Sequence, residues 1–228
     1  MSNKLIVPMS HHSIQFSNVS FRYPDGRYAL RNISFQIADG EKVAIVGANG
    51  AGKSTLITLT NGLFLPSEGD VLVCGMRVTS NNLVSIRRQV GMIFQDSDNQ
   101  LFMPTVAEDV GFGVYNMGFS KKEVKGRVEE ALAAVGAEEL KELPPHRLSG
   151  GQKKRVAIAG VLVMQPNILV MDEPTSNLDP QARQQLIKLI KSFQHTTLIA
   201  THDINLVKQL CSRILVLEKG RLVFDGSS

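Results

Sequence analysis

Tryptophan is absent from the 228 residues, cysteine occurs twice and tyrosine three times. Cys74 and Cys211 lie far apart with no pairing motif, which excludes a disulfide-framed fold; both are read as buried reduced thiols. Long apolar runs are also missing. The longest stretches free of Asp, Glu, Lys and Arg, Leu5 to Phe21 and Val156 to Met171, fall short of the roughly 18 apolar residues of a spanning helix. They are also broken, the first by Pro8 and several His and Ser, the second by Gln165-Pro166-Asn167. Residues 1–13 lack the continuous apolar core and small-residue cleavage site of a secretion signal, so a cytosolic chain is expected. Work at a membrane would need other subunits to span it. Excess charge of one sign is small too: Lys and Arg total 25 against 21 for Asp and Glu, a net charge of +4, far from the basic footprint of a nucleic-acid binder. The clusters Arg87-Arg88, Lys121-Lys122 and Lys153-Lys154-Arg155 carry no interleaved aromatics and read as solvated helix faces.

What is present suits a globular chain: 43% hydrophobic and 20% charged residues, enough to bury a core. Strand-like runs at Ser13 to Phe21 and Leu30 to Ile37 flank the turn Tyr23-Pro24-Asp25-Gly26. Short apolar runs at Val43 to Val46, Val90 to Phe94, Ile168 to Met171, Leu198 to Ala200 and Ile214 to Leu217 read as buried parallel strands. Helical patterns lie between them, as at Gln181 to Phe193, so the expected class is α/β with a mostly parallel sheet and an N-terminal antiparallel β region. Residues 96–164 break the alternation and are helical in character. Ser120 and Glu123 form a capping box for Lys121 to Val135, and Gly136 ends that helix. We expect one domain over 1–228, an α/β core of 1–95 and 165–228 with a helical subdomain inserted at 96–164.

Gly47-Ala48-Asn49-Gly50-Ala51-Gly52-Lys53-Ser54-Thr55 carries the Gly, four residues, Gly, Lys, Ser/Thr pattern of a triphosphate-binding loop, between a strand and an apolar helix pattern. Its glycines let backbone N–H groups turn inward on phosphates, and the helix N-terminus adds a positive dipole end. Lys53 would reach the β- and γ-phosphates, and the Ser54 hydroxyl would hold Mg²⁺. Ile168-Leu169-Val170-Met171-Asp172-Glu173 is an apolar strand ending in two carboxylates on opposite faces. Asp172 is expected in the Mg²⁺ shell and Glu173 as the base for an attacking water.

Leu148-Ser149-Gly150-Gly151-Gln152 precedes another helical run and reads as a second phosphate cradle, with Ser149 as cap. One chain with one triphosphate loop does not need two cradles, so the second is expected to serve the nucleotide of a partner chain. At this pentapeptide the sequence resembles the ATP-binding cassette family, and the resemblance covers essentially the whole chain. It implies that Tyr23 stacks on adenine, Gln95 senses Mg²⁺ and the γ-phosphate, Ser176-Asn177-Leu178-Asp179 crosses a dimer interface, and His202 is the switch histidine. Taken singly, Tyr23 is a strand-end tyrosine, Gln95 a surface glutamine, Asp179 a helix cap and His202 a satisfied core histidine.

The stretch Gln95-Asp96-Ser97-Asp98-Asn99-Gln100-Leu101-Phe102, followed by Thr105 to Gly113, resembles the energy-coupling factor (ECF) importers of vitamins and of cobalt or nickel ions, with Ser97 where that group commonly has Pro. The resemblance implies an ATPase that uses ATP and Mg²⁺, pairs as a homodimer or with a related ATPase, and docks a transmembrane coupling subunit beside a substrate-binding membrane subunit. It would lie at the cytoplasmic face of the membrane and take no nucleic acid. The end at Phe224 to Ser228 is similar to the shorter ATPases of biotin modules. Leu101, Phe102 and Met103 form an apolar cluster suited to a membrane partner or to packing within the subdomain.

Overall fold

A computed structural model describes residues 12–227; the reading of residues 1–11 and of the chain's last residue lies outside them. In chain order the elements are β1 (His12–Arg22), β2 (Tyr28–Ala38), β3 (Lys42–Val46), α1 (Lys53–Thr60), β4 (Glu68–Val73), β5 (Met76–Arg77), α2 (Leu83–Gln89), β6 (Val90–Ile93), α3 (Val106–Asn116), α4 (Lys121–Ala134), α5 (Gly150–Leu162), β7 (Ile168–Asp172), α6 (Pro180–Ser192), β8 (Thr196–Ala200), α7 (Ile204–Leu210), β9 (Arg213–Glu218) and β10 (Arg221–Ser227). They build a four-stranded antiparallel sheet in the order β2-β1-β4-β5 and a six-stranded sheet in the order β10-β9-β3-β8-β7-β6. The second sheet is parallel except for β10, which returns antiparallel on β9.

Strands β7 and β8 are buried at every residue, so their sequences are continuous apolar runs and not alternations. The alternation survives in which core each side chain enters. Ile168 and Val170 join Val43, Ile45 and Leu198 in a core shared with the antiparallel sheet and α1, whereas Leu169 and Met171 join Ala44 and Ile199 in a core shared with α3 to α7. The larger sheet is therefore the middle layer, and every loop at the carboxyl ends of β3, β7 and β8 opens on the same edge, where ligands of α/β sheets bind. Helices α3, α4 and α5 pack on one another within the second core. The capping box at Ser120 and Glu123 is formed as expected, and Thr105 with Glu108 makes another for α3.

Two local readings change. Cys211 is buried, but Cys74 is only half-buried and occupies the tight β4–β5 turn with φ +47. The cluster Lys153-Lys154-Arg155 is not a solvated face: Lys154 is 2% exposed, because the helix turns that position toward β6.

Candidate nucleotide site

The loop Gly47–Gly52 leaves β3 and feeds α1, whose Leu56, Ile57 and Leu59 are fully buried and anchor it under the sheet. Gly52 has φ +107 and a Cβ there would lie 2.8 Å from Ala29 O, so only glycine admits this approach. Gly52 also brings no side-chain cap to α1. The first turn therefore presents its amides and its dipole to an anion. Lys53 is 7% exposed and curls over the loop, donating through Nζ to Gly47 O at 2.9 Å and Ala48 O at 3.3 Å. Ser54 is exposed at the loop mouth. Tyr23 is half-buried, with its hydroxyl 2.8 Å from Thr55 Oγ1 and its ring edge-on to Phe21 and Phe64.

Asp172 ends β7 beside this loop. Burial raises its carboxyl above the usual range, with the Ser54 hydroxyl opposing, Glu173 adding to the rise, and Lys53 and Lys154 lowering it. Its Oδ1 is buried without a hydrogen-bond partner. A hard carboxylate oxygen without a donor, next to a loop hydroxyl, is a donor set that suits Mg²⁺.

Glu173 is separated from Asp172 by a different device than the strand alternation expected from sequence. The strand ends at Asp172, and Glu173 takes a left-handed φ of +43 held by its N–H on Ala200 O at 2.8 Å. Register between β7 and β8 pairs Asp172 with Ala200, so the next residues meet. Thr201 Oγ1 donates to Glu173 Oε2 at 3.0 Å, the His202 amide donates to the same oxygen at 3.3 Å, and His202 Nδ1 donates to Oε1 at 2.8 Å. The His202 side chain is 69% exposed, which removes the core-histidine alternative. Behind it, Asp203 takes Arg183 Nε at 2.9 Å, Arg183 Nη2 at 2.5 Å and Thr175 Oγ1 at 3.1 Å. Burial alone would raise the Asp203 carboxyl, but Arg183, the Leu206 amide and Thr175 outweigh it and hold it below the usual range. Glu173, Ser176, Asn177, Arg183 and His202 line one hollow of about 410 Å³.

The other predicted residues stand elsewhere. Ser149 caps α5 in a capping box, accepting the Gln152 amide at 3.3 Å while the Gln152 side chain takes the Ser149 amide at 2.8 Å. A Cβ on Gly151 would lie 2.9 Å from Ala182 Cβ, so glycine lets α5 and α6 meet. Asp179 caps α6 through the amides of Gln181 and Ala182 at 2.9 Å and shares a hollow of about 240 Å³ with Ser149, Gly151 and Gln152. Among the described residues no hydrogen bond joins Ser149–Gln152 to Gly47–Thr55. Gln95 is exposed just past β6, and its carbonyl accepts from Lys154 Nζ at 2.9 Å. Burial pushes Lys154 down to about 8, with Asp96 and Asp172 opposing.

The ABC transporter family model matches residues 30–176, which run from β2 through the loop, the signature and both carboxylates. The chain belongs to the ABC transporter family. This cassette ATPase is 46% identical over 219 residues to the energy-coupling factor transporter ATP-binding protein EcfA of Methanocaldococcus jannaschii, covering 94% of this chain and 78% of that protein. Its fold matches CbiO1 of Clostridium perfringens, part of the ABC transporter complex CbiONQ, with a TM-score of 0.87 and 42% identity over 95% of this chain and 89% of that one. It also matches the ATP-binding cassette MJ0796, seen as a dimer in a post-hydrolysis state with ADP and phosphate, with a TM-score of 0.85 and 31% identity over 94% of this chain and 98% of that one. The cassette binds and hydrolyses ATP, and among its described residues no helix is long and apolar enough to cross a membrane.

Four residues were not singled out from sequence: Thr201, Asp203, Arg183 and Lys154. Thr201 and Asp203 flank His202 and were within reach of the β8 reading. Arg183 and Lys154 carried no signal, because their partners are 20 and 59 or more residues away.

Proposed function

We propose that this chain is the ATPase subunit of an energy-coupling factor importer, working as a dimer at the cytoplasmic face of the membrane. The observation that carries the reading is the likeness to EcfA together with the segment after Gln95. There, Phe102 and Phe112 stack edge-on at 5.1 Å and stay 64% and 42% exposed, with Tyr115 beside them at 59%. Leu101 packs into the core, so the cluster expected from sequence divides: one side chain holds the segment and Phe102 faces outward. Phe112 and Tyr115 line a groove of about 500 Å³ with Met103 and Val124, suited to helices of a membrane coupling subunit.

In this reading Tyr23 supports adenine, the amides of Gly47–Thr55 and Lys53 hold the phosphates, and Ser54, Asp172 and Gln95 would hold Mg²⁺, which supplies charge neutralisation at the phosphates. Glu173 takes the proton of the attacking water, and His202 fixes the Glu173 carboxylate through Nδ1. Ser149, Gly150, Gly151 and Gln152, carried by the helical segment 96–164, close on the nucleotide of the other subunit together with Asp179 of the core. The work is positioning and electrostatics rather than covalent chemistry.

Co-purification with the membrane subunits tests the importer type. A small substrate-binding membrane protein with a separate coupling protein is expected; two identical channel subunits would sink it. Ser149→Arg tests the shared site: closure of the dimer on ATP should be lost while single-chain ATP affinity stays, and a collapse of that affinity would overturn the cross-subunit assignment.

A further inference from the structure

The stretch that carries Gln95 is stitched to the signature helix from three places. Lys153 Nζ donates to Asp98 at 2.6 Å, and Gln100 accepts the Phe94 amide at 3.3 Å while donating to Ala157 O at 3.1 Å. Between these, Lys154 Nζ donates to Phe94 O and Gln95 O, both at 2.9 Å. The Lys153 bridge has an Asp98 side chain that is 65% exposed, and such a pair contributes little. Lys154 differs. It is 2% exposed, and among the described residues no carboxylate lies within ion-pair distance of it. Burying an ammonium is costly unless its donors are used, and a neutral donor would satisfy the same two carbonyls at less cost. What the charge adds is strength and direction: two charge-assisted bonds from a side chain rooted in α5, two residues after Gln152, fix the backbone on which Gln95 is mounted.

We propose that Lys154 is a positioning residue for Gln95, tying the placement of the γ-phosphate sensor in one subunit to the position of the helix whose N-terminus faces the partner's nucleotide. This rests on the reading of Gln95 given above. Lys154 reaches Gln95 through the backbone carbonyls of residues 94 and 95. A γ-phosphate that draws Gln95 inward therefore pulls α5 through Lys154, and displacement of α5 moves Gln95.

The test is a double-mutant cycle on ATP turnover of the full chain, with ATP affinity and thermal unfolding measured in parallel. Lys154→Met is expected to lower kcat about tenfold, the worth of a charge-assisted hydrogen bond, with KM for ATP little changed. In a Gln95→Ala background it should add less than about twofold, because independent sites multiply and a residue acting through another does not. Lys154→Arg, which keeps two charged donors, should recover most of the loss. Full multiplication of the two losses, or wild-type kcat in Lys154→Met, would overturn the proposal while leaving Gln95 in place. Wild-type kcat in Gln95→Ala would instead overturn the role of Gln95, and this proposal with it. Lys154→Met leaves the Phe94 and Gln95 carbonyls without this donor, so the same cycle is run with Lys154→Gln in case the first variant does not fold.

Discussion

The loop at Gly47–Thr55 and the signature at Ser149–Gln152 both end in a helix N-terminus, yet the molecule treats them oppositely. The first is rooted in the sheet, with Lys53 at 7% exposure and a glycine N-cap that offers α1 no side chain. The second is exposed and closed on itself, each of Ser149 and Gln152 satisfying the other's amide. A bare terminus holds its positive end open for phosphate within the same chain. A capped one already has the amides of Ser149 and Gln152 met within itself. The difference between an open terminus beside the sheet and a self-capped one at the surface is what the proposed division of labour, the chain's own nucleotide against the other subunit's, would require.

The largest effect should come from the chemistry that neither terminus performs. Glu173→Gln is expected to retain ATP binding and lower turnover by about 10²–10⁴, the worth of a general base, and to leave an ATP-dependent dimer visible by size-exclusion chromatography. Turnover like the wild type would remove Glu173 from the mechanism. Next, Lys53→Met should weaken ATP binding by a single chain about 10- to 150-fold, as expected for one hydrogen bond to a charged group, measured by calorimetry. Equal binding would show that the bare helix end alone grips the phosphates, and would break the comparison on its rooted side.

A pair outside both termini gives a stability control. The Arg183–Asp203 bridge, with side chains 28% and 15% exposed, should contribute about 1.5–3 kcal/mol. Because Asp203 is held below the usual carboxylate range, this contribution is present above the ordinary value and is lost as pH falls through the lowered one. Thermal unfolding of Asp203→Asn against the parent should therefore differ at neutral pH and converge at the acid end; a constant gap would refute the linkage. The smallest effect belongs to Ser149→Ala, which removes a cap worth about 0.5–2 kcal/mol and should leave single-chain ATP affinity untouched. Weakened affinity would mean that the two termini serve one nucleotide after all.

Much of this was legible in order along the chain. The triphosphate loop, Asp172-Glu173 and the signature are local patterns whose chemistry depends on adjacent residues, and the apolar runs of β3, β7 and β8 announced strands buried on both faces. The legible part ended where partners are distant. Lys153, Lys154 and Arg155 look alike in sequence, and only the packing of α5 against β6 buries the middle one. His202 reads equally well as a core histidine, until the β7–β8 register brings it to Glu173. The two carboxylates read as a strand alternation, whereas a left-handed turn at Glu173 separates them.

The sequence by itself determined the class of fold and the nucleotide it handles, because loops, caps and strand runs are set by near neighbours. The tertiary structure alone decided which carboxylate meets the histidine, which lysine is buried, and which apolar side chains of the 101–115 segment remain outside. Those outcomes depend on parallel register and helix packing, where residues far apart in the chain compete for the same few positions beside the sheet.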